Sequence, residues 1–178
     1  MRIELVAATG QDQETVRNLG RFYTYDMSRY CGFLPGWETP ENGLFEDRDR
    51  TSYWEEAGRY PFLIRVDGEL AGFALINKIG TTPAIDWHIG EFFVIAKFQR
   101  RGVGGEVAKQ LFHRFTGRWE VDQIPENRAA IDFWERVVDT YTDGRFKKAN
   151  KIIAQPKPHP MIVLEFDSPG QKPPLKVQ

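Results

Sequence analysis

The chain is poor in the residues that staple a fold, hold a metal or cross a membrane. Cys31 is the only cysteine among 178 residues, so no internal disulfide can form and a reducing compartment is expected. A lone thiol of this kind reads as a small side chain rather than a nucleophile. There are three histidines, His88, His113 and His159, and they show no ligand spacing with Cys31, so no metal is expected. No stretch approaches the ~18 apolar residues that span a bilayer. The opening "MRIELVAATGQDQ" lacks the apolar core of a secretory signal. A cytoplasmic protein without a membrane partner is therefore expected. The formal net charge is only −1, so no global field draws the chain to nucleic acid.

What is present is ordinary in bulk. Hydrophobic residues make up 41% and charged residues 28%, a mixture that suits a globular domain. The length allows one sizeable core but not two comfortable ones. A single domain over residues 1–166 is expected, followed by a flexible tail at 167–178, because "DSPGQKPPLKVQ" offers almost nothing to bury.

Periodicity divides the rest. "RIELVAA" alternates as a half-buried strand, and Thr9 and Asp12 can cap a helix carrying Val16, Leu19, Phe22 and Tyr23. From Tyr30 to about Arg50 the pattern breaks into a long loop or short helices. "RYPFLIRVDGELAGFALINKI" is a hairpin about Asp67-Gly68, a type I′ turn signal. A third strand spans 84–95 and is apolar on both faces at Phe92, Phe93, Val94 and Ile95, hence buried there. Val103, Val107, Leu111, Phe112 and Phe115 mark a helix that Gly117 can stop. "RWEVDQI" is a strand, Pro125 and Asn127 open a helix with Ala130, Phe133, Trp134 and Val137 on one face, and two strands close the chain. This order predicts a mixed α/β sheet with helices on it.

The segment "KFQRRGVGGEVAKQLF", residues 97–112, joins the buried strand to the next helix. Amides at a helix start lack internal acceptors and the dipole favours anions there. Glycine allows close approach and positive φ, and Arg100 and Arg101 add charge. Together they suit a pyrophosphate. The spacing is neither that of a P-loop nor G-x-G-x-x-G, since the sixth position from Gly102 is Val107. It does fit Gln99-x-x-Gly102-x-Gly104.

With that motif the chain resembles the GNAT superfamily of acetyl-CoA-dependent N-acyltransferases. "EFFVIAKFQRRGVGGEVAKQLF" is similar to the family's central motif. "WEVDQIPENRAAIDFWERV" resembles its following strand and helix, where Asn127 and Phe133-Trp134 stand as in the helix lining the cofactor tail. The resemblance covers roughly residues 60 to 140 and is closest to a little-characterised group of predicted bacterial acetyltransferases. It implies a mostly antiparallel central sheet of about seven strands with about four helices, strands 4 and 5 splayed. It also implies acetyl-CoA as cosubstrate. The backbone of Arg100, Arg101, Gly102, Val103, Gly104 and Gly105, with Gln99, would hold the pyrophosphate. The main chain of Phe92, Phe93 and Val94 would pair with the pantetheine arm, with the Val94 N–H polarising the thioester carbonyl. Asn127 would contact the pantetheine, and Trp134 stands where many relatives place a tyrosine that protonates the departing thiolate. An indole N–H cannot do that.

Acetyl transfer to an amine also needs a proton acceptor, because an alkyl amine with a pKa near ~10.4 is mostly protonated at neutral pH. Glu120 is favoured, since relatives often carry a catalytic glutamate there, then Glu91. Asp122 shares the side of Glu120 on a regular strand. His88 reads as structural. The acceptor region from Tyr23 to Glu56 holds Glu38, Glu41, Glu46, Asp47, Asp49, Glu55 and Glu56. It suits a small cationic amine, with Trp37 and Trp54 available for cation–π contact. A CoA-binding sensor without turnover and a protein N-terminal or lysine acetyltransferase are the alternatives, and a homodimer is compatible with any of them.

Overall fold

The computed structural model describes residues 1–32, 34–45, 49–153 and 158–169. Strand β1 (Ile3–Ala7) is followed by helix α1 (Gln13–Cys31) and a single turn, α2 (Ser52–Glu55). The hairpin strands are β2 (Arg59–Val66) and β3 (Glu69–Asn77), joined by Asp67 at φ 50° and Gly68 at φ 83°, the two positive values that a type I′ turn requires. Then come β4 (Trp87–Val94), α3 (Val103–Arg114), β5 (Gly117–Gln123), α4 (Arg128–Thr142), β6 (Phe146–Ile153) and β7 (His159–Ser168). The strands form one seven-stranded sheet in the order β1-β2-β3-β4-β5-β7-β6. β1–β2, β5–β7 and β6–β7 are antiparallel. β4 and β5 are parallel, and their ladder consists of two residue pairs, Trp87↔Trp119 and His88↔Glu120. The mixed, mostly antiparallel sheet with a short β4–β5 ladder is the architecture that the motifs imply.

The chain divides into two compact units, Met1–Ile76 with Gly90–Gln99, and Asn77–Ile89 with Arg100–Gln178. Strand β4 therefore contributes its first three residues to the second unit and the rest to the first. The first unit packs Val16 and Leu19 of α1 on Leu63, Phe73, Leu75 and Phe93. Tyr23 meets Phe73 and Phe93 edge-on, each at 6.1 Å between ring centres. In the second unit the helical stripe Val103, Val107, Leu111 and Phe112 is buried as its spacing predicts. Phe112 packs on Trp119 at 5.0 Å and on Phe166 at 4.8 Å. Burying each such ring contributes about 1.5–3 kcal/mol.

Some boundaries move for physical reasons. The Thr9–Asp12 capping box forms, but it closes a short 3-10 turn, Gly10–Asp12, ahead of α1. α3 ends on extended Phe115, so Gly117 opens β5 instead of stopping the helix. The third strand starts at Trp87 because 82–85 is a turn closed by Ile85 N–H donating to the Thr82 carbonyl. β7 runs to Ser168, whose hydroxyl donates to the Phe112 carbonyl at 2.5 Å. Residues 170–178, most of the expected tail, lie outside the described residues.

Candidate active site

The glycine segment forms the start of α3. Gly102 caps that helix at φ 82°, ψ −7°, a left-handed conformation that glycine adopts without a Cβ penalty. A Cβ built on Gly102 meets nothing within 4 Å, so the position faces open space. Two residues earlier Arg100 also has positive φ, 57°. A non-glycine residue there costs roughly 1–2 kcal/mol, and such strain marks sites that need a particular backbone. Arg100, Arg101 and Gly102 are exposed, Gly104 and Gly105 half-buried, and Val103 buried as the helix's anchor. The amides that open α3 have no acceptor within the helix and are aimed outward. An exposed, glycine-lined helix start with two arginines before it fits a pyrophosphate.

In the first unit, the β4 residues Phe92, Phe93 and Val94 hold the run that the motif assigns to pantetheine. Phe93 and Val94 are buried. The Gln99 side chain donates to the Val94 carbonyl at 2.7 Å. Gln99 thus fixes the strand end on which the motif depends.

Asn127 is the N-cap of α4, its side-chain oxygen accepting from Ala130 N–H at 3.1 Å. Trp134 is buried and packs edge-on against Phe133 at 4.9 Å.

The two carboxylates expected to be catalytic are held by their own chain. In the first unit Glu91 receives Arg50 Nε at 2.9 Å, and Arg50 is itself buried. In the second, Glu120 is 1% exposed. Its Oε1 accepts from Thr81 N–H at 3.0 Å, its Oε2 from the Thr81 hydroxyl at 2.5 Å, and Lys151 Nζ lies 3.4 Å from Oε2. Lys151 also donates to Thr81 Oγ1 at 2.7 Å and to Glu165 at 2.5 Å, while Arg118 donates to the other Glu165 oxygen at 2.8 Å. Burial by itself would lower the Lys151 pKa. The hydrogen bond to Glu165 and the charges of Glu120 and Glu165 more than offset this and raise it. The Lys151 hydrogen bond pulls the Glu165 carboxyl below its usual range.

The same unit brings together two residues that strand alternation alone leaves apart. His88 of β4 and Asp122 of β5 lie 3.1 Å apart, Nε2 to Oδ1, with side chains 15% and 16% exposed. His88 Nδ1 is buried and has no hydrogen-bond partner among the described residues.

The acidic region of the first unit is partly committed to its own turns. Glu38 accepts from Gly36 N–H and Asp49 from Thr51 N–H. Hydrogen bonds from its own amide and from that of Gly36 lower the Glu38 carboxyl, and those from the Thr51 hydroxyl and amide lower that of Asp49. Glu56 pairs with Arg59 at 3.0 Å. Trp54 donates its indole N–H to the Thr9 carbonyl at 2.9 Å. Glu41 and Glu55 are exposed. Glu46 and Asp47 lie outside the described residues.

Comparison with known proteins agrees with this layout. The model of the acetyltransferase (GNAT) family matches residues 23–138. The fold is similar to that of an acetyltransferase from Thermus thermophilus, at 18% identity and TM-score 0.63, over 94% of this chain and 97% of that one. It is similar to aminoglycoside acetyltransferase AAC(6')-Ib in complex with coenzyme A and kanamycin, at 15% identity and TM-score 0.63, over 93% and 95% of the two chains. A further similar structure is a candidate streptothricin acetyltransferase from Bacillus anthracis str. Ames in complex with acetyl coenzyme A, at 12% identity and TM-score 0.57, over 94% and 99%. No curated protein matches the sequence. Among the described residues no helix is long and apolar enough to cross a membrane, and no group of His, Cys, Asp and Glu could hold a metal ion.

Proposed function

Because the chain belongs to the acetyltransferase (GNAT) family, we propose that it moves an acetyl group from acetyl-CoA to the amine of a small cationic acceptor. The observation that carries this reading is the helix start at Arg100–Gly105, with two left-handed residues, open space over Gly102 and two arginines. Acetyl-CoA supplies the activated acetyl thioester. The amides of Arg100 to Gly105 hold its pyrophosphate. The main chain of Phe92 to Val94 pairs with the pantetheine, and the Val94 N–H polarises the carbonyl. Asn127 serves both as cap and as pantetheine contact.

The departing sulfur needs no dedicated acid, since a thiol pKa near ~8.5 makes the thiolate a tolerable leaving group. Trp134, buried at the matching position, supplies none. Glu120 and Glu91 use their oxygens on Thr81, Lys151 and Arg50. In this reading they act as positioned negative charges. The exposed Glu41 and Glu55 favour a cationic acceptor, and the kanamycin complex of a structural relative makes a polyamine of that kind a suitable first probe.

Calorimetric titration with acetyl-CoA and with CoA tests the reading. Micromolar binding is expected, weakened at least about tenfold (roughly 1.4 kcal/mol) in Gly102→Val with unchanged circular dichroism. Folded wild-type protein that binds neither would overturn it.

A further inference from the structure

We propose that Gly72 of β3 aims the Val94 N–H, the donor that polarises the thioester, and so acts as a positioning residue of this transferase. The inference rests on the acetyl-transfer reading above and goes beyond it, because the cofactor motif assigns nothing to β3. Every residue it uses lies in the first compact unit.

A glycine in the middle of "ELAGFALIN" is a weak choice for a strand. It has no side chain to pack and more backbone freedom to lose, and it often marks a place where another backbone comes close. Gly72 is buried, with φ 157°, a positive value that residues bearing a side chain rarely adopt. A Cβ built on it falls 2.0 Å from the Phe93 carbonyl oxygen, 3.0 Å from the Phe93 carbonyl carbon and 3.1 Å from the Val94 Cα. Favourable carbon contacts lie at about 3.5–4.0 Å, so a methyl group cannot share this space. The obstacle is main chain, which has no rotamer to swing aside.

These distances also fix a direction. The Phe93 oxygen is nearer to Gly72 than its carbon is, so the carbonyl points at β3. Phe93 C=O and Val94 N–H belong to one peptide unit, and in a planar trans peptide they point in opposite directions. The Val94 N–H is therefore turned away from β3. The next peptide unit is reversed, as a strand requires. Its N–H, that of Ile95, donates to the Ala71 carbonyl at 2.8 Å. Its carbonyl, that of Val94, faces away from β3 and accepts from Gln99 Nε2 at 2.7 Å. Val94 thus turns both main-chain groups away from β3, with the carbonyl already taken by Gln99.

The packing around the unit holds this aim. Phe93 and Val94 are both buried. The Phe93 ring lies 5.8 Å from that of Phe73 and 6.1 Å from that of Tyr23. With hydrogen at position 72 the Phe93 carbonyl lies directly against β3. With a methyl group there the strands part or the peptide tilts, and the N–H swings with the oxygen because the two share one rigid plane. A donor of this kind acts only when it is aimed at the oxygen where charge develops, and losing one costs about 100- to 1000-fold in kcat.

Nuclear magnetic resonance on 15N,13C-labelled protein tests this. In the wild type a strong NOE is expected between a Gly72 Hα and the Val94 Hα, and its absence overturns the contact. The Val94 amide is then followed with saturating CoA and with saturating acetyl-CoA. These ligands differ only by the acetyl group, so a downfield shift of the Val94 amide proton with acetyl-CoA alone reports a hydrogen bond to the thioester carbonyl. Equal Val94 shifts in the two complexes overturn the proposal.

In Gly72→Ala, CoA is still expected to bind, while the acetyl-CoA-specific shift of Val94 is lost. With kanamycin or spermidine as amine probe, kcat should fall about 100-fold with KM for acetyl-CoA unchanged. A glycine that merely eases packing would lower the melting temperature and leave the Val94 shift intact, and that result overturns the proposal. If Gly72→Ala does not fold, the wild-type NOE and the wild-type shift difference decide it. Folded wild-type protein that binds neither CoA nor acetyl-CoA fails the transferase reading itself, a result distinct from all of these.

Discussion

Arg50 closes on Glu91 with Nε at 2.9 Å and Nη2 at 2.8 Å from the same carboxylate oxygen, Oε2. The guanidinium side chain is 4% exposed and also lies 5.8 Å from the centre of the Phe73 ring. A loop residue is thereby anchored to β4 across 41 positions of sequence. Breaking a buried pair by removing one partner strands the other charge. Arg50→Ala should therefore lose about 3–5 kcal/mol in urea unfolding, while Arg50→Met combined with Glu91→Leu recovers much of it. Equal stability of Arg50→Ala and wild type would show that the pair does not anchor the loop.

Arg100 has a backbone conformation that suits glycine better. Arg100→Gly should leave stability unchanged or raise it by up to about 1 kcal/mol as the left-handed strain is relieved. The same variant should weaken acetyl-CoA binding, and the difference should narrow as salt rises, because the lost contribution is a screened charge. Calorimetry at low and high ionic strength beside thermal unfolding reads both effects. Unchanged affinity would remove Arg100 from the cradle.

Asn127 can be divided into its two tasks. Asn127→Ala loses the bond to the Ala130 N–H and should cost about 1 kcal/mol. Asn127→Asp keeps a capping oxygen and should restore that stability without restoring the pantetheine contact. An acetyl-CoA affinity fully recovered in Asn127→Asp would reduce Asn127 to a cap.

Gln123 of β5 is 5% exposed, and neither atom of its amide has a partner among the described residues. Gln123→Met keeps the volume and removes the unpaired amide, so it should stabilise the fold by about 1–3 kcal/mol. A loss of stability would mean that the amide is satisfied in solution.

The Lys151–Glu165 contact sets a pH signature. The Glu165 carboxyl is held below its ordinary value of 4.5 by the Lys151 hydrogen bond first and Arg118 second, with burial opposing them. A depressed carboxyl contributes stability above its unfolded pKa, and that contribution is lost as pH falls through the lower folded value. Stability should therefore fall below about pH 4.5 in wild type and less steeply in Glu165→Gln. Lys151 is raised above 10.5, so its contribution is present below that value and lost on the alkaline side. Unfolding followed from pH 2 to 6 separates wild type from the variant, and parallel curves would discount the contact.

Local chemistry was legible without coordinates. Asp67-Gly68 announces its turn because the two positive φ angles are a property of those residues. The spacing of Val103, Val107 and Leu111 gives α3 because one stripe must be buried. Gly102 and Asn127 show themselves as helix ends for similar reasons, and the motif built on them carries the family. Gly117 misled as a helix stop because a glycine preceding a strand looks the same in sequence as one ending a helix.

The partners of the charged residues were not legible. Thr81 meets Lys151 across 70 positions, and His88 meets Asp122 across 34. The first depends on β7 lying between β5 and β6, against chain order, and the second on the short parallel β4–β5 ladder. A side chain's periodicity tells which face it takes, but only the sheet tells which neighbour shares that face. Sequence alone therefore determined the elements and the glycine-rich start of α3, because each follows from residues a few positions apart. Tertiary structure alone decided that Glu120 is enclosed by Thr81 and Lys151 and that His88 meets Asp122, because hydrogen-bond partners are set by proximity in space.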